Sequence, residues 1–215
     1  MPYLFDNDRL KAVVNDKPFL GFSDTTMNHF MLHKLGIDTF YGQSFLADVC
    51  ELENDMLPYS RQYFEEFIQT GRIKEIRPSD VWYEERTEFD ESQTGILRVK
   101  HPNSGFELLQ GSPVFSGKIL LLESSEEKPT PEKYENMLAV LKEYGLFDVI
   151  SGVLVGKPMD ETYADEYRKL LVEIIDLPEL PVLANINIGH ATPRCIIPFG
   201  VNATVDANKQ IITFA

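Results

Sequence analysis

Three side chains in this sequence have the types that amide hydrolysis through a covalent intermediate demands: Ser23 in GFSDTT, Glu123 in KILLLESSEE and His190 in NINIGHATPR. A serine hydroxyl is a poor nucleophile until a histidine within ~3 Å takes its proton, and that histidine needs an acid to orient it. Serine, acid, histidine is the chain order in which α/β hydrolases supply their triads, although other orders reach the same geometry. Ser23 stands where a short strand is expected to turn into a helix. Its hydroxyl then projects outward, the Asp24 N–H points toward the same spot, and the helix N-terminus adds a partial positive charge suited to an oxyanion. The position also suits an ordinary N-cap, and GFSDT departs from the GxSxG of the common hydrolase elbow. Glu123 closes an apolar strand, on the edge of an α/β sheet where ligands bind, though strands commonly end in polar residues. Glu126 and Glu127 read as a solvated charge run.

His190, between Gly189 and a Pro-bounded loop, is the histidine whose setting suits catalysis. His29 and His33 are spaced i, i+4 on one expected helix, but no HExxH pattern or third ligand accompanies them, so they read as helix residues and no metal is expected. His101 lies in the polar stretch HPNSG and is expected to face solvent. Cys50 and Cys195 fit no CxxC spacing; two reduced core thiols are expected, with one long-range disulfide as the alternative.

The elements that must position these groups alternate. A helix end over LKAVVND, a short buried strand in KPFLGF and a helix in SDTTMNHFMLHKLG with Phe30, Met31, Leu32 and Leu35 inward open the chain. A short strand in IDTFYG and a helix in PYSRQYFEEFIQTG follow, with Tyr63, Phe64, Phe67 and Ile68 on one face and Gly71 as the stop. From Ile73 to about Leu109 the mixture of short apolar runs with Pro, Ser and Gly predicts small antiparallel strands, and a domain boundary falls near residues 71–76. Then come a strand in GKILLLE, a helix in PTPEKYENMLAVLKEYG capped by Thr130, a strand in VISGVLVG, a helix in DETYADEYRKLLVEIID and a strand in LPVLAN. That alternation implies parallel crossovers with both sheet faces covered. The end predicts two strands turning at Asp206-Ala207-Asn208.

With 215 residues the chain is one large domain or two small ones, and can bury roughly 70% of its unfolded surface without staples. Its 43% hydrophobic and 25% charged residues are ordinary for a globular protein. Twenty Lys+Arg against 34 Asp+Glu give a formal charge of −14, which argues against nucleic acid or anionic lipid as the main partner. A basic region followed by an apolar one is missing from the first residues, and no apolar run approaches the ~20 residues of a membrane span, so a cytoplasmic protein is expected.

The stretches KPFLGFSDTTMNHFMLHKLGIDTFYG, GKILLLESSEE, GVLVG and PVLANINIGHATPRCIIPFGV resemble the LD-carboxypeptidase family of serine peptidases, which includes the microcin C self-immunity proteins. The resemblance runs over most of the chain, and LLLESSEE is closer to the microcin immunity branch. It implies that Ser23 is the nucleophile, Glu123 the acid and His190 the base, with no metal or organic cofactor. It also implies that an aromatic residue on a loop over the site stacks on the substrate's nucleotide, for which Trp82 is the candidate by position. The substrate class implied is a small peptide or peptidyl nucleotide.

Family members carry a further portion of several strands and helices ahead of the serine motif, which builds most of the nucleophile's sheet and gives a backbone amide to the oxyanion hole. About twenty residues precede Ser23 here, and only SPVFS stands between LLQG and GKILLLE, where the family has a longer segment. The expected fold is therefore α/β: residues 1–72 as the remnant of an N-terminal nucleophile domain, and residues 73–215 as a C-terminal domain with a mixed sheet carrying the acid and the histidine. Losing one oxyanion donor costs on the order of 10²–10³ in turnover, so weak or absent activity is expected. Uncovered sheet edges favour a homodimer. The rival reading is a catalytically inactive family member acting as a binding or interaction domain, with the three side chains far beyond hydrogen-bonding reach or open to bulk water; a plain α/β domain in which they are caps and strand ends is the third.

Overall fold

A computed structural model describes residues 10, 12, 17–53 and 55–215. The expected helix end over LKAVVND falls mostly outside these residues.

The first sheet is small. β1 (Phe19–Gly21) runs parallel to β2 (Thr39–Tyr41), and β11 (Ile197–Pro198) pairs antiparallel with β2. Between β1 and β2 the chain makes a 3₁₀ turn at Ser23–Thr25 and the helix α1 (Thr26–Lys34). After β2 come a π-helical turn at Phe45–Val49 and α2 (Pro58–Thr70), which has Pro58 in its first turn and stops at Gly71 in the left-handed region, φ 65°.

The second sheet has the order β6-β10-β9-β8. Its strands β8 (Ile119–Leu122), β9 (Gly152–Gly156) and β10 (Val182–Ile186) are mutually parallel, and β6 (Glu107–Gln110) adds an antiparallel edge, so the expected mixed sheet is present. The crossovers are α3 (Pro131–Glu143), whose N-cap Thr130 accepts from the Lys133 N–H, and α4 (Ala164–Ile175). Successive residues of the parallel strands serve opposite faces. Val153, Val155, Val182 and Ala184 pack with α3 and α4, whereas Leu154, Leu183 and, past a break in register at the left-handed Asn185, Ile186 join a core shared with α2 and β11. Both faces are therefore covered, but the two crossover helices lie on the same one. The other is closed in part by an antiparallel sheet of β3 (Glu75–Ile76), β13 (Ile211–Phe214), β12 (Ala203–Asp206) and β7 (Val114–Gly117), and a hairpin of β4 (Val81–Tyr83) and β5 (Lys100–Pro102) is bridged from Tyr83 to Thr192.

Four expectations need correction. On α1 the buried residue is His29, caged by Phe19, Tyr41 and Phe199, while Phe30 is 62% exposed. The stripe on α2 is Ser60, Tyr63 and Phe67, with Ile68 outside it. α4 starts later than DETYADEY suggests, because Asp160, Glu161 and Tyr163 take left-handed backbone angles. Both cysteines are free thiols, but Cys50 is exposed and only Cys195 is in the core.

Candidate active site

The turn from β1 into α1 is sharp because Ser23 itself has φ 51°, a left-handed conformation that a residue with a Cβ rarely takes. Such strain persists where the surroundings over-determine it. Two residues earlier, Gly21 leaves the space that Thr25 and Phe19 occupy; a Cβ there would collide with both side chains. The Thr25 hydroxyl and N–H both donate to the Phe22 carbonyl, and the Thr26 hydroxyl donates to that of Ser23 at 2.6 Å, which fixes the turn.

Glu123 immediately follows β8, and His190 lies four residues beyond the end of β10. Their side chains meet at the carboxyl edge of the parallel sheet. His190 Nδ1 lies 3.0 Å from Glu123 Oε2, and His190 Nε2 lies 3.1 Å from Ser23 Oγ. Gly189 makes this approach possible, since any side chain there would strike the Glu123 carboxylate. The His190 side chain is 11% exposed and that of Glu123 21%. With the carboxylate ionised, Nδ1–H donates to Glu123 and leaves Nε2 as the acceptor for the serine proton. Ser23, Glu123 and His190 border a cavity of about 250 Å³, together with Ser124, Ser125, Pro129 and residues of α3. The wide separation that is one form of the non-catalytic reading is absent; its other form, exposure to bulk water, meets side chains that are largely buried.

Sequence reasoning missed three neighbours. Tyr41 donates its hydroxyl proton to Glu123 Oε1 and accepts from the Ser23 N–H at 3.3 Å. Burial, with the Glu123 charge next, pushes the Tyr41 phenol well above its ordinary range, so it stays a neutral donor. Arg194, in GHATPR, is buried and donates to the His190 carbonyl at 3.2 Å. Glu126 is not simply a solvated charge: its Oε2 lies 3.0 Å from His190 Nε2, although the side chain is 59% exposed. An arginine directly after Ala191-Thr192-Pro193, four residues beyond His190, was a signal available in the sequence; for Tyr41, 82 residues from Glu123, none was.

The remaining candidates divide. Asp24 is exposed in the 3₁₀ turn beside Ser23. Trp82 does not border the cavity and sits on a strand, not on a loop above it. It is 8% exposed, its ring stacks on His101 with centroids 4.3 Å apart, and Lys157 Nζ lies 5.1 Å from its centroid. His101 is half-buried by this stack and meets Glu84 at 2.8 Å, where free exposure was expected. No helix among the described residues is long and apolar enough to cross a membrane.

Residues 103–205 match the LD-carboxypeptidase C-terminal domain. The crystal structure of an MccF-like protein from Streptococcus pneumoniae in complex with AMP superposes on all of this chain and 74% of its own with a TM-score of 0.95, at 54% identity. The chain belongs to the LD-carboxypeptidase family. Within that family it is 25% identical to the microcin C7 self-immunity protein MccF of Escherichia coli, over 99% of this chain and 69% of that protein. A putative carboxypeptidase of Treponema pallidum is also 25% identical, over 93% of this chain, which spans 64% of that relative's length.

Proposed function

We propose that this LD-carboxypeptidase family member is a serine-type amide hydrolase worked by Ser23, His190 and Glu123. One observation carries the reading: an unbroken line of hydrogen-bonding distances, 3.1 Å from Ser23 Oγ to His190 Nε2 and 3.0 Å from Nδ1 to Glu123 Oε2, beside a cavity. Ser23 Oγ attacks the scissile carbonyl while Nε2 takes its proton. The oxyanion draws on the Asp24 N–H and the N-terminal end of the turn into α1. As the C–N bond breaks, the imidazolium returns the proton to the leaving amine, and a water deprotonated by the same imidazole then hydrolyses the acyl-enzyme. Glu123 holds the ring in the required tautomer and offsets its transient charge.

The substrate we infer is a small amide, a short peptide or a peptidyl nucleotide. Supporting this, the pneumococcal relative was crystallised with AMP, and E. coli MccF with aspartyl sulfamoyl adenosine. A stacking role for Trp82 on a nucleotide base requires the His101 ring to leave first, because that face is already covered. A fluorophosphonate probe is expected to label Ser23, and Ser23→Ala to lose both labelling and any amide hydrolysis. Absence of labelling on folded protein to which the family's N-terminal portion has been restored overturns the reading.

A further inference from the structure

Nucleophile and base reach the site from elements 167 residues apart, and the hydrogen bond between them cannot by itself hold two backbones in register. One buried side chain touches the backbone of the histidine turn and the side chain next to the serine. The Arg194 guanidinium donates through Nη2 to the His190 carbonyl at 3.2 Å and to Thr192 Oγ1 at 3.1 Å, and through Nε to the Ala191 carbonyl at 3.3 Å. These bonds fix the backbone that carries the imidazole. The same guanidinium lies 4.9 Å from the ring centroid of Phe22, the residue immediately before Ser23, and the Phe22 ring is itself 4.7 Å from that of His190. On its far side, Nη1 pairs with Asp48 Oδ2 at 2.9 Å, both side chains being almost wholly buried.

We propose that Arg194 is a positioning residue that clamps the histidine turn to the nucleophile turn, with Asp48 as its anchor and Phe22 as its contact with the serine. The proposal rests on the assignment of Ser23 and His190 as nucleophile and base. Its geometry needs arginine in particular. A planar fork reaches two carbonyls, a hydroxyl and a carboxylate while lying against an aromatic ring, and a lysine ammonium, with three donors at one point, does not. Burial makes the arrangement firm, since an uncompensated guanidinium or carboxylate is costly away from water.

Two measurements on Arg194→Lys separate positioning from mere support of the fold: the rate of fluorophosphonate labelling at Ser23, and the NMR signals of the His190 ring nitrogens. The expected result is a folded protein that labels about 10²-fold more slowly, the size of loss that small misplacements in a reacting pair produce. Its Nε2 signal should also lose the signature of the Ser23 hydrogen bond. Wild-type labelling with unaltered ring signals overturns the proposal. Should Arg194→Lys fail to fold, Asp48→Asn decides, because it leaves Phe22 and His190 untouched and removes only the charge that anchors the guanidinium. Slower labelling and shifted ring signals support the clamp, and wild-type behaviour refutes it. If the protein labels neither alone nor with the family's N-terminal portion restored, the catalytic assignment fails, while the ring signals still decide whether Arg194 sets the histidine.

Discussion

Two clusters of polar side chains stand at the carboxyl edge of the parallel sheet, and each contains a residue in left-handed backbone: Ser23 with φ 51° in one, Asn185 with φ 63° in the other. The residue following β8 is Glu123 and the residue following β9 is Lys157, so adjacent strands deliver an acid and a base to equivalent places. Their fates differ. Lys157 is 2% exposed; it pairs with Glu161, donates to Asn185 Oδ1 at 3.1 Å, approaches Asn103 Oδ1 at 3.5 Å and lies against Trp82. Its three donors all have partners, and no donor remains for a ligand. Glu123 also has two partners, but one of them, His190, passes the interaction on to a hydroxyl beside a cavity. Strain and burial are common to both clusters. The cavity of about 250 Å³ beside the first is the ground on which we assign the reaction to it.

The largest effect that can break this contrast comes from Glu123→Gln. The amide keeps the volume and an acceptor for Tyr41, but it no longer enforces the tautomer in which Nε2 accepts the serine proton. A loss on the order of 10⁴ in turnover is expected, as for the equivalent change in other serine triads, with little change in thermal stability. Labelling and hydrolysis at the wild-type rate would make Glu123 a structural group like Lys157, and the contrast would collapse.

Lys157→Met tests the other side. Labelling of Ser23 should be unchanged, while stability falls by about 1–3 kcal/mol because the Asn185 carbonyl oxygen is left unpaired. The effect has a pH signature. Burial holds the Lys157 ammonium below the usual lysine range, opposed by Glu161, so the unfolded chain binds that proton more tightly than the folded one. Wild-type stability therefore gains as pH rises from the lowered value toward the ~10.4 of an exposed lysine, and this increment is absent from the variant. Denaturant unfolding of both proteins between neutral and alkaline pH reads it. A loss of labelling at full folding would show the two clusters to be coupled.

Much of this was legible beforehand. The turn that exposes Ser23, the strand that ends at Glu123 and the loop that holds His190 all follow local patterns: an apolar run, a glycine, a helix start. The parallel order of β8, β9 and β10 likewise follows from the alternation of strand and helix. What escaped is long-range or lies in very short elements. β1 and β2 have three residues each, too few for any periodicity to say which side chain faces the acid, so Tyr41 gave no signal. Apolar residues occur all round α1, so sequence placed Phe30 inside, whereas the aromatic cage takes His29. Asp48 and Arg194 are 146 residues apart, and nothing local to either announces a buried pair.

The smallest expected effect sharpens the contrast at its most exposed point. Glu126 presents a carboxylate oxygen 3.0 Å from His190 Nε2, the nitrogen that also faces Ser23 Oγ at 3.1 Å. A carboxylate only accepts, so it competes for a proton on Nε2, whereas the attacking serine needs that nitrogen as an acceptor. Contact with Glu126 therefore suits the imidazolium and works against the resting base. Because the side chain is largely in water, the contact is worth no more than about 1 kcal/mol, equivalent to roughly a fivefold change in rate. Glu126→Gln is expected to raise the labelling rate of Ser23 by up to that factor at low ionic strength. The gain should shrink as salt screens the wild-type carboxylate. A fall in rate, insensitive to salt, would instead make Glu126 part of the machinery that stabilises the charged histidine during attack, and the open cluster would then hold two working carboxylates where we assign one.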